Sequence, residues 1–79
     1  MILIDFPKNG WCHLVSDSIT ELHTFANLIG VNKCWFENKK GKKQPHYDIK
    51  GEMINKAIDF GAKQVNSKEI VLFLKQHYS

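Results

Sequence analysis

Apolar residues fall along this chain in short bursts separated by polar turns, and the spacing inside each burst predicts its element. Ile2-Leu3-Ile4, closed by Asp5 and Pro7, has the pattern of a buried first strand. Lys8-Asn9-Gly10 is a turn, and Trp11 to Ser16 forms a second extended segment that ends at Asp17-Ser18. Leu22, Phe25, Ala26 and Ile29 recur at i, i+3, i+4 and i+7, which is one face of a helix. Ser18-Ile19-Thr20-Glu21 opens that helix as a capping box. The Ser18 hydroxyl accepts the amide three residues on, and Glu21 reaches back to the Ser18 amide. Gly30 closes the helix, and Val31 to Phe36 predicts a third, internal strand.

A second helix is expected from Gly51 to Phe60, with Met53, Ile54, Ala57 and Ile58 on its apolar face and Gly61 as its stop. Ala62 to Val65 predicts a short strand. Ser67 caps a third helix that buries Ile70, Phe73 and Leu74 and ends near His77. The order β-β-α-β-α-β-α predicts an α/β fold: a small, mostly parallel sheet of three to four strands with three helices. Parallel sheets take ligands beyond the carboxyl ends of their strands. On that expectation Asp5, Asp17 and Glu37 share one edge of the sheet.

Composition narrows the class. Seventy-nine residues make a single α/β domain over 1–79 with a small core. No apolar run approaches the roughly 20 residues that cross a bilayer, and the first residues lack the basic start of a leader. A cytoplasmic protein is therefore expected, in the host cytoplasm if phage-encoded, without a membrane partner. Net charge is +3, yet every cation is a lysine and none is an arginine. Lysine attracts phosphate diffusely, whereas base-specific readout relies on the guanidinium fork, so anionic partners are favoured and sequence-specific nucleic-acid binding is not. Cys12 and Cys34 sit beside Trp11 and Trp35, the setting of reduced, buried thiols. A zinc set of Cys12, His13, Cys34 and His46 is chemically possible but lacks the paired ligand spacing of such sites, and neither a metal nor another cofactor is expected.

Candidate chemistry concentrates at His46-Tyr47-Asp48, entered through Pro45 from the polar loop Asn38-Lys39-Lys40-Gly41-Lys42-Lys43-Gln44. If this stretch is extended, His46 and Asp48 point to one side and Tyr47 to the other. If it is a turn, Asp48 caps the coming helix and Tyr47 packs in the core. His13 lies between Cys12 and Leu14, either as a buried, hydrogen-bonded histidine or facing His46 across a cleft. His23 borders the apolar stripe of the first helix, and His77 suits the end of the last one. Asp17 and Ser18 read as helix caps or, with their side chains turned away, as an anion site. Asp5 follows the first strand, a position used for catalysis in α/β folds. Trp11 is a core aromatic or a stacking surface, and Lys42 and Lys43 are a solvated loop or a lid over a phosphate. Walker A, G-x-S-x-G and H-E-x-x-H patterns are all absent.

The combination of the first strand with Asp5, Trp11-Cys12-His13-Leu14-Val15-Ser16-Asp17-Ser18, Glu21-Leu22-His23 with Phe25-Ala26, Gly30, Phe36, His46-Tyr47-Asp48-Ile49, Ala57 and Gly61-Ala62 resembles the bacterial and phage domain of unknown function 4031 family. The resemblance spans nearly the whole chain. It implies that His13, Asp17, His23, His46, Tyr47 and Asp48 are family-pattern positions, and it implies no reaction. This chain departs in its longer lysine insertion before His46. The expected function is binding of a small phosphorylated ligand, a nucleotide above all; a phage protein of this kind could sequester a host signalling nucleotide as an anti-defence device. Two alternatives stand beside it. One is a small histidine-dependent enzyme acting on a phosphodiester or N-glycosidic bond. The other is a lysine-loop module that binds nucleic acid or protein. A core this small also makes a homodimer reasonable.

Overall fold

Asn9 and Gly10 set the direction of the sheet. Both take positive φ, 54° and 84°, and Lys8 and Trp11 exchange backbone hydrogen bonds of 2.8 and 3.1 Å across them. So tight a turn can only return the chain antiparallel. Accordingly β1 (Ile2–Ile4) pairs antiparallel with β2 (Trp11–Ser16), Ile2 opposite Ser16 and Ile4 opposite Leu14. The computed structural model describes residues 1–32, 35–37 and 45–78.

Helix α1 (Ile19–Ile29) starts at Ser18, whose hydroxyl accepts the Glu21 amide at 3.2 Å, and ends at Gly30 with φ 85°. The reciprocal half of the capping box does not form. Instead Ser16 Oγ, at the end of β2, accepts the Ser18 amide at 3.1 Å and donates to Glu21 at 2.6 Å. Strand β3 (Phe36–Glu37) is a two-residue edge strand, shorter than the internal strand expected from Val31. Just before it the Trp35 amide donates to the Asn32 carbonyl at 3.0 Å.

Strand β4 (His46–Lys50) is the element the sequence reading lacked. It pairs antiparallel with both β2 and β3. Helix α2 (Glu52–Asp59) and strand β5 (Lys63–Gln64) follow, and β5 runs parallel to β1. Helix α3 (Ser67–Tyr78) closes the order β-β-α-β-β-α-β-α. Asn66, not Ser67, caps α3: its Oδ1 accepts the Glu69 amide at 2.8 Å.

The sheet order β3-β4-β2-β1-β5 is thus mixed, with one parallel pairing, rather than mostly parallel. Tight turns override the alternation of strands and helices from which parallel strands were expected. One face of the sheet presents Ile4, Cys12, Leu14, Tyr47 and Ile49 to Leu22, Phe25, Ala26 and Ile29 of α1 and Ala57 of α2. The other presents Leu3, Val15 and Val65 to Ile70 and Leu74 of α3. Helix α3 packs over β1, β5 and the Val15–Ser16 end of β2. Trp11, His13 and Lys50 stay exposed and Asp48 half-buried on the β2–β4 side. Among the described residues no helix is long and apolar enough to cross a membrane.

Candidate functional site

Asp5 ends β1 just as that strand enters the turn, and its carboxylate is 2% exposed. A buried carboxylate needs partners, and the two at short distance come from His13. Oδ1 accepts the His13 backbone amide at 2.7 Å, and Oδ2 lies 2.7 Å from His13 Nδ1. A carboxylate can only accept, so Nδ1 carries a proton, and in the neutral ring Nε2 keeps its lone pair. Ser67 Oγ donates to the same Oδ2 at 3.5 Å. With Asn66 as the cap, Ser67 is released for this contact.

Strand β4 brings the second imidazole. His13 stands opposite Asp48 in the β2–β4 register, and the two-residue period puts His46 and Asp48 on one face. The rings of His13 and His46 are 5.3 Å apart, edge to face. Asp48 Oδ1 lies 3.5 Å from His46 Nε2 and 4.0 Å from His13 Nε2. His46 is buried, while Asp48 and His13 keep more freedom. A pocket of about 160 Å³ opens beside them. Its polar rim is Asp5, His13, His46 and Ser67, and its apolar wall is Ile70, Val71 and Leu74 of α3.

The structure therefore joins Asp5, His13, His46 and Asp48 and separates the remaining candidates. Tyr47 and His23 meet on the opposite face, Tyr47 OH 2.7 Å from His23 Nδ1, beside Phe36. A depression of about 370 Å³ lies there, lined by His23, Asn27, Val31, Phe36 and Tyr47. The cap reading of Asp48 falls away, since α2 begins at Gly51 without a side-chain cap. Trp11 packs edge-on against Trp35, with Lys50 Nζ 4.9 Å above its ring.

Asp17 and Ser18 lie at the far end of β2. The shared edge expected for Asp5 and Asp17 does not exist, because β1 and β2 run in opposite directions. Hydrogen bonds from the Met1 ammonium hold the Asp17 and Glu21 carboxyls below their ordinary range. Lys42 and Lys43 lie outside the described residues, as do Cys34 and the other lysines of that loop. The signal that could have found β4 is the alternation His46-Tyr47-Asp48-Ile49-Lys50, polar at every second position.

Cys12 cannot join His13 in a metal site, because neighbours on a strand face opposite ways and Cys12 is buried under α1 and α2. Burial first, and then the charge of Asp5, push its thiol up to about 11. The thiolate is the reactive form, so at pH 8 only about one Cys12 in a thousand is nucleophilic. Iodoacetamide should leave Cys12 unmodified in the folded protein and label it fully in denaturant, as read by peptide mass mapping.

Fold and cluster together define a small α/β protein with a histidine–carboxylate centre on the open half of a mixed sheet. The chain belongs to the family described as Protein of unknown function (DUF4031), whose model matches residues 2–77. No curated protein and no solved structure matches this chain.

Proposed function

We propose that this protein binds a small phosphorylated molecule of the nucleotide class on the open face of β2 and β4. The reading is carried by one observation: His13 and His46 converge at the rim of a pocket whose other wall is apolar. An imidazole suits a phosphate oxygen where its ring nitrogen carries a proton to donate, and Ile70, Val71 and Leu74 suit a base or another flat apolar group. The pocket is smaller than the roughly 300–1,000 Å³ that enclose drug-sized ligands. A nucleotide would seat one part in it and lay the rest over the uncovered strands.

A nucleotide panel added to the purified protein tests this by native mass spectrometry and thermal unfolding. A ligand at a hundred times its Kd stabilises by about 2.7 kcal/mol, or about 10–20 °C for a domain of this size. The expected result is one retained nucleotide per chain, lost in His13→Ala. Absence of both adduct and shift across the panel would reject the proposal. The pairing of His13 with Asp5 favours hydrolysis of a phosphoester as a second reading, since it orients one imidazole toward the pocket. Nucleotide consumed without a retained adduct would select that reading.

A further inference from the structure

The fixed charges of this centre are the wrong sign for an anion taken alone. Asp5 and Asp48 flank the two imidazoles, and among the described residues the pocket rim holds no lysine. Two imidazoles and a carboxylate in one place are instead a ligand set for a cation. One ring nitrogen from each of His13 and His46 and one Asp48 oxygen lie within 4.8 Å of one another. We infer that His13, His46 and Asp48 form a binding site for one divalent first-row transition ion of the Zn²⁺ type, with Asp5 orienting His13 from behind.

Three features support the assignment. First, ligand atoms about 2.0–2.2 Å from a tetrahedral ion stand about 3.3–3.6 Å apart. The separations of 3.5 and 4.0 Å from Asp48 to the two Nε2 atoms are near that range. Asp48 is exposed enough to close the difference by side-chain rotation, while buried His46 and the Asp5-held ring of His13 serve as the fixed points. Second, the Asp5 carboxylate at His13 Nδ1 is the outer partner that ligating histidines usually have. It presents the Nε2 lone pair to the site and holds the ring at one angle. Third, the donor set selects the ion. Mg²⁺ and Ca²⁺ need several oxygens, whereas two imidazoles with one carboxylate suit zinc and its neighbours and leave coordination positions open.

Binding of the ion stands on this geometry alone. Its role rests on the proposed function: His13 and His46 also line the pocket rim, where a phosphate oxygen could take the remaining position and the ion would offset Asp5 and Asp48.

Calorimetric titration of the chelator-treated protein with Zn²⁺ tests the site. The expected result is one saturable ion per chain, with affinity at least tenfold lower in His13→Gln and in Asp48→Asn. Both residues are exposed enough for these variants to fold, which thermal unfolding checks. His77→Gln, remote on α3, should bind as the wild type does. Failure to saturate at one ion, or wild-type affinity in both site variants, overturns the inference. The nucleotide panel run with and without Zn²⁺ separates the two proposals. Zn²⁺ bound with no nucleotide retained supports the metal site and rejects the ligand reading. Nucleotide retained by a protein that takes no Zn²⁺ does the reverse.

Discussion

Tyr47→Ala should lower the melting temperature by about 15–30 °C, following a loss of about 3–5 kcal/mol for truncating a buried aromatic. Tyr47 is 2% exposed and stands at the centre of the α1–α2 side of the sheet. It faces Leu14 on β2 and Phe36 on β3, with its ring 5.1 Å from that of Phe36. A domain of 79 residues has a total stability of about 4–12 kcal/mol, so this one truncation removes a large share of it. Tyr47→Phe separates ring from hydroxyl. It keeps the packing, loses the contact with His23 Nδ1, and should cost about 1 kcal/mol. Urea unfolding of both variants is the measurement. If Tyr47→Ala were as stable as Tyr47→Phe, the ring would not be the keystone of this core.

Asp5→Asn should leave the fold in place and disable the site. The carboxylate accepts twice from His13, from its backbone amide and from its Nδ1–H, and once more weakly from Ser67. An amide has one oxygen and one NH₂ group. The backbone amide claims the oxygen, so the NH₂ group must face Nδ1, which then becomes an acceptor. The ring proton moves to Nε2, and Nε2–H cannot ligate a cation. Affinity for Zn²⁺ should fall about 10–100-fold, the usual effect of losing such an outer partner. Nitrogen-15 spectra should show the proton transferred from Nδ1 to Nε2 of His13. Asp5→Ala removes both acceptors, leaving the part-buried His13 amide unpaired at a cost of about 1–3 kcal/mol, and frees the ring. Wild-type Zn²⁺ affinity and an unmoved proton in Asp5→Asn would refute the orienting role of Asp5.

Local signals carried much of the fold. Ser18 and Gly30 bound α1 at the residues expected, Trp11 to Ser16 is the strand that was read, and α3 buries Ile70 and Leu74. Each depends on contacts within one turn or on a side-chain period, and such information lies in neighbouring residues. Strand β4 was equally legible in its alternation. Its residues fit an extended strand or a turn into α2, and only the pairing with β2 and β3 decides between them.

What the sequence determined by itself is the set of elements and the residues able to carry chemistry: His13, His46, Asp48 and Asp5 were all candidates. It could not say which of eleven candidates meet. The two-residue period put His46 with Asp48 and set Tyr47 apart, but only the β2–β4 register placed His13 opposite Asp48. Only the antiparallel return at Asn9-Gly10 brought Asp5 against His13 and sent Asp17 and Ser18 to the far end. Strand direction and register are set by pairings between residues distant in the chain, and these are decided by the tertiary packing of two sheet faces rather than by any local pattern.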